Sequence, residues 1–211
     1  MLALLKTKHA STISGNSKKK NDRVIVSIGS GRAETEMQSG ELCVCLDKDT
    51  KSLYTCAFAS KYLWKERSNI VFLRYDLKDG IFNLLSSIKG AVNLPVVVLF
   101  QHPSPSKANK NRVTLKCTFR DCVLAKEQNI VESIHFVYDS KSETKGNCWK
   151  EKELFKVLKS MCSEDKKHKL TEPSVISEKG NAEVKHPLFG LTERRGWAQM
   201  KRGVEMSFSV T

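Results

Sequence analysis

From Arg23 onward the sequence alternates short runs of β-branched and apolar residues with longer stretches whose apolar positions recur at threes and fours. That order constrains the fold more than any other feature. Strands separated by helical crossovers pair in parallel, and the helices then cover the faces of the sheet. Five runs read as strands: RVIVSI (23–28), LCVCLD (42–47), NIVFLRY (69–75), PVVVLF (95–100) and SIHFVYD (133–139). Between them, residues 51–66, 77–92, 113–128 and 149–162 carry the spacing of crossover helices. The first connection, RAETEMQSG (32–40), is short for a crossover. Residues Gly203 to Val210 alternate again and read as a last strand closing the sheet. The expected class is α/β, a Rossmann-like, mostly parallel sheet with an antiparallel final strand.

With 211 residues, 40% of them hydrophobic, the chain has material for one good core rather than two. Residues 1–22 read as a basic N-terminal arm, expected to be flexible, and 23–211 as a single domain. Within it, residues 163–187 are polar, hold two prolines and show no sustained period, the marks of a long surface loop or insert. The 36 Lys and Arg against 23 Asp and Glu give a net charge of +13, which favours a polyanionic partner such as nucleic acid over an acidic small molecule. Seven cysteines are an odd number, and several sit in apolar runs such as ELCVCL, as reduced core thiols do. None has zinc-site spacing, so no metal is expected. No stretch has the length and apolarity of a membrane span or a secretory leader. The expected setting is intracellular, cytoplasm or nucleus, with no membrane partner.

In an open parallel sheet, ligands bind beyond the carboxyl ends of the strands, so the residues that follow each strand carry the functional reading. After the first strand comes Gly29-Ser30-Gly31-Arg32-Ala33-Glu34, where glycines permit a tight turn and close approach of a ligand to the backbone. Asp47, sixteen residues beyond Gly31 and followed by Lys48, closes the second strand, where a carboxylate can accept hydrogen bonds from both hydroxyls of a ribose. Asp76, followed by Leu77, closes the third, and Phe100 closes the fourth. A glycine turn with two such acids suits a nucleoside-containing cofactor, and the departure from G-x-G-x-x-G disfavours a dinucleotide. S-adenosyl-L-methionine is the cofactor this favours. Capping the helices that follow is the alternative role for Asp47 and Asp76.

After the fourth strand the chain reads Phe100-Gln101-His102-Pro103-Ser104-Pro105-Ser106-Lys107, then a basic run to Arg112. This segment resembles the F-P-D-P-W-P-K-K motif of the tRNA (guanine-N7-)-methyltransferases, with Phe100, Pro103, Pro105, Lys107 and Arg112 in register. IGSGRAE (28–34) is similar to that family's I-G-S-G-K-G-E, NIVFLRYD (69–76) to its N-V-x-F-L-x-x-D, and HFVYDS (135–140) to its H-F-A-T-D-W. Glu193-Arg194-Arg195-Gly196 and the final VEMSFSV resemble its closing E-x-R-G and last strand. The ordered segments span residues 23 to 211. They imply a class I methyltransferase fold and an S-adenosylmethionine-dependent enzyme that methylates guanine N7 in tRNA.

Departures fall at the centre of that pattern. His102 stands where the family has an aspartate implicated in catalysis, Ser104 replaces an aromatic, and Ala33 replaces a glycine. The resemblance implies Asp139, Glu193 and position 102 as the catalytic set; Gly29, Ser30, Gly31, Glu34, Asp47, Lys48, Asp76, Leu77 and Phe100 around the cofactor; and Lys107, Lys110, Arg112, Arg194 and Arg195 as contacts to tRNA or another structured RNA. A histidine is neutral or positive near neutral pH and cannot reproduce an aspartate's charge. The alternative expectation is therefore a catalytically impaired member of the fold that binds RNA or a protein partner subunit.

Overall fold

The computed structural model describes residues 22–29, 33–49, 69–103, 109–140, 153–162, 168–177, 183–194 and 204–210, with residues 3, 51, 54, 55 and 58. Seven strands form the main sheet: β1 (Val24–Ile28), β2 (Leu42–Asp47), β3 (Ile70–Arg74), β4 (Val96–Gln101), β5 (Val131–Ser140), β6 (Ser174–Ser177) and β9 (Val204–Val210). Their order is β3-β2-β1-β4-β5-β9-β6. The pairs from β3 across to β5 are all parallel, whereas β9 runs antiparallel to both β5 and β6. This is the mostly parallel α/β sheet with an antiparallel final strand read from the sequence. The order reverses between β1 and β4, which places a topological switch point there.

Side-chain alternation splits the core into two layers. On one face Val26, Val44, Val98, Phe136 and Phe208 pack beneath three helices, α2 (Phe82–Val92), α3 (Asn109–Glu127) and α4 (Glu153–Cys162). The helices present Leu85 and Ile88, Phe119 and Cys122, and Leu154 and Leu158 to the sheet, recurring at threes and fours as an amphipathic stripe should. On the other face Ile25, Cys43, Cys45, Val97, Leu99 and Val137 meet Ala33 and Phe189. Cys43, Cys45, Cys122 and Cys162 are buried free thiols, and burial pushes the Cys43 and Cys122 thiols far up, away from reactivity. Phe189 sits on the turn of a separate hairpin, β7 (Glu183–Lys185) with β8 (Thr192–Arg194).

Several elements differ from the sequence reading for local physical reasons. The expected helix 77–92 is two pieces, a 3-10 turn at Leu77–Asp79 and then α2, because Gly80 at φ 75°, ψ 151° leaves the helical region. Asp121 of α3 takes up the break by accepting from the Ile81 amide at 2.7 Å. Expected helix 113–128 starts earlier, at Asn109. The short first connection is a six-residue helix, α1 (Glu34–Ser39), bounded by left-handed Ala33 and Gly40. Of the expected helix 51–66, Lys51, Tyr54, Thr55 and Phe58 are described, all helical, and residues 149–152 lie outside the described residues. The stretch 163–187 is not all loop, since it contributes β6 and β7. Among the described residues β6 is the edge strand and pairs with β9 alone, and its SVIS sequence lacks the apolar run of a covered strand.

Candidate functional site

A cavity of about 260 Å³ opens at the carboxyl ends of β1 to β4, at the switch point. Strand β1 contributes Ile28 and the turn after it Gly29, β2 contributes Leu46 and Asp47, and β4 contributes Phe100 and Gln101. The segment after β3 supplies Tyr75, Asp76 and Leu77, and Thr114 and Leu115 of α3 form the far wall. Backbone hydrogen bonds tie these ends together: Gly29 N donates to Leu46 O at 3.3 Å, Tyr75 N to Asp47 O at 3.0 Å and His102 N to Val137 O at 2.7 Å.

Gly29 has φ 75°, and a Cβ built on it would lie 2.9 Å from the Gln101 carbonyl oxygen. The turn therefore requires glycine both for its left-handed backbone and for the passage of β4 beside it. The two acids are set by their own loops. Asp47 Oδ1 accepts from Asp49 N at 2.9 Å, and Asp76 Oδ1 accepts from Lys78 N at 3.1 Å while capping the 3-10 turn. The capping role weighed for Asp76 is thus real, yet a carboxylate has acceptor sites beyond one such bond, and both acids border the cavity. The Tyr75 hydroxyl donates to Gly80 O. Burial raises its pKa, with Asp79 and Asp121 adding to the effect, so the phenol stays protonated as a fixed donor.

His102 follows β4 with an exposed side chain and φ 44°, a left-handed conformation most common for Asn, Asp and His among residues other than glycine. Phe100, 1% exposed, stands between the cavity and the core, where its ring stacks on Phe136 at 4.5 Å and Phe136 stacks on Phe208 at 4.6 Å.

Of the residues expected around a site, Gly29, Asp47, Lys48, Asp76, Leu77, Phe100 and His102 all border this cavity. Ser30, Gly31, Lys107 and Arg195 lie outside the described residues, and for Glu34, Lys110, Arg112, Asp139, Glu193 and Arg194 the backbone alone is described. Asp139 is near the carboxyl end of β5, two residues past the Gln101–Val137 pair and opposite Glu205 of β9. Glu193 pairs with Val184 in the hairpin, away from the main sheet's hydrogen-bonded order. Lys110 and Arg112 are in the first turn of α3, the helix that forms the far wall. Tyr75, Gln101, Thr114 and Leu115 of the lining, and the nearby Glu36, are not among the residues expected from the sequence. Thr114 and Leu115 lay in the expected helix 113–128, but nothing in its period marks which turn meets the cavity.

No protein-family model matches the sequence, and no curated protein matches it. Solved structures with a similar chain path include an rRNA methylase from Streptococcus thermophilus, at 10% identity and TM-score 0.48, covering 97% of this chain and 92% of that one. A precorrin-6y C5,15-methyltransferase from Geobacter metallireducens has 11% identity and TM-score 0.47, covering 100% and 85%. A magnesium protoporphyrin IX methyltransferase from Synechocystis with bound SAH has 8% identity and TM-score 0.48, covering 99% and 81%. The fold itself follows from the strand order and the reversed direction of β9: this chain has the Rossmann-like class I methyltransferase fold.

Proposed function

We propose that this protein is an S-adenosylmethionine-dependent RNA methyltransferase whose target is guanine N7 in tRNA. The observation that carries the reading is the convergence of Gly29, Asp47, Asp76, Leu77 and Phe100 on one cavity at the switch point of the sheet. The lining fits the cofactor in kind: a backbone turn free of side chain at Gly29, a half-buried carboxylate at Asp47 and an exposed one at Asp76, and apolar surface from Leu46, Leu77 and Phe100. The cofactor, when bound, supplies an electrophilic methyl group on a sulfonium. Asp47 would accept from the ribose hydroxyls, and Leu77 with Phe100 would contact the adenine.

Guanine N7 carries an in-plane lone pair, so no base has to remove a proton before attack. What the protein must supply is orientation at near-attack distance and compensation for the positive charge that passes to the guanine ring. Asp139 and Glu193 are assigned those roles by family resemblance, and His102 borders the cavity directly after β4. The net charge of +13 supports a polyanionic substrate. Lys107, Lys110, Arg112, Arg194 and Arg195 are the proposed phosphate contacts, of the kind that position a folded RNA without reading its sequence.

One observation favours a second reading. Position 102 borders the cavity but holds a histidine, so the fold could retain cofactor and RNA without transfer and serve as an RNA-binding or partner-binding module. Labelled S-adenosylmethionine with bulk tRNA separates the two. Label entering the tRNA, with chain cleavage at 7-methylguanosine, supports the enzyme; no label entering while cofactor and tRNA still bind supports the module.

A further inference from the structure

Glu36, on α1, is 1% exposed, a degree of burial that acids rarely reach without partners. Its Oε1 accepts from Ser27 Oγ at 2.5 Å and from Gln101 Nε2 at 2.6 Å. Ser27 is in β1, two residues before Gly29, and is fully buried; Gln101 ends β4 and borders the cavity, which Glu36 itself does not. At these two strand ends the Gln101 carbonyl oxygen faces Gly29, 2.9 Å from the point a Cβ there would occupy. One carboxylate oxygen thus bridges β1 and β4 from beneath, across the switch point. Short hydrogen bonds to a buried acid are among the stronger ones, and losing one leaves a buried polar group unsatisfied. The bridge also fixes the Gln101 amide, because turning it over would set two oxygens against each other at the same separation.

We propose that Glu36 is a positioning residue for the cofactor cavity: it holds Gln101 against the glycine turn, and S-adenosylmethionine affinity depends on it although it touches no ligand. The inference rests on the reading of the cavity as a cofactor site. The test exchanges the two partners. Gln101→Glu sets a carboxylate against a carboxylate and breaks the bridge, whereas Glu36→Gln added to it restores a donor facing an acceptor, now in the opposite sense: the amide nitrogen at the former Oε1 position donates one hydrogen to the new carboxylate and the other to Ser27 Oγ.

The full chain is titrated calorimetrically with S-adenosylmethionine as wild type, Gln101→Glu and the exchanged double variant, with thermal unfolding followed in parallel. Gln101→Glu should weaken binding by about tenfold or more, and the double variant should return to within about threefold of wild type. Gln101→Glu binding like wild type, or a folded double variant that fails to recover, overturns the inference and leaves the cofactor reading intact. If Gln101→Glu does not fold, the double variant against wild type decides by the same threshold. A folded wild type that takes up no S-adenosylmethionine overturns both.

Discussion

The carbonyl oxygen of Gln101 lies 2.9 Å from the point that a Cβ on Gly29 would occupy. The obstacle is backbone rather than a side chain that could swing away, and φ 75° at Gly29 adds the strain of a left-handed conformation. Gly29→Ala should therefore cost about 1–3 kcal/mol of stability, shift Tm downward in a thermal melt, and push the ends of β1 and β4 apart. Cofactor affinity should fall with it. A variant with unchanged melting and unchanged affinity would show that the two strand ends are not held at this spacing.

The stack of Phe100, Phe136 and Phe208 ties β4, β5 and β9 together through the centre of the helix-covered layer. Phe136 is fully buried and touches both neighbours face to face. Phe136→Ala should cost about 3–5 kcal/mol in denaturant titration. Loss of less than about 1 kcal/mol would mean that β9 does not pack on this stack.

Strands β1, β2 and β4 were legible in the sequence because both their faces are covered, and a covered parallel strand has to be apolar throughout. The residues after them were legible for a related reason: in such a sheet the ligand end is fixed by strand direction, so Gly29, Asp47, Asp76 and Phe100 could be named before their meeting was seen. Strand β6 was not legible, because an edge strand meets solvent and its serines look like loop. Nor was Glu36, since α1 is too short to show a period and ETEMQS gives no sign of which acid turns inward. The break at Gly80 was hidden by continuous apolar spacing on both sides, and its cap, Asp121, is forty residues away.

His135 on β5 shares a hydrogen bond with Ser133 Oγ at 2.9 Å. Burial lowers its pKa from 6.5 to about 4, with the nearby Arg23 guanidinium contributing. Between those values the unfolded chain binds a proton that the folded one does not, so stability is fully present above about pH 6.5 and falls as pH drops toward 4. The loss over that window should be about 2 kcal/mol. His135→Gln should flatten this part of the curve in denaturant titrations at stepped pH; an identical slope in both proteins would remove His135 as its source.

His102 already occupies the left-handed region, at φ 44°, which aspartate also tolerates. His102→Asp should leave stability within about 0.5 kcal/mol and raise the rate of methyl transfer to tRNA by about tenfold or more, by restoring an anion near the developing charge. Single-turnover rates would measure this. An unchanged rate would place position 102 outside the chemistry.

Asp47 borders the cavity and is its candidate ribose acceptor. Calorimetric titration of the full chain with S-adenosylmethionine, set beside Asp47→Ala, is the decisive measurement. Saturable binding by the wild type, weakened by about tenfold or more when the ribose acceptor is removed, is the expected result. No binding by the folded wild type, or equal affinity in Asp47→Ala, would contradict it.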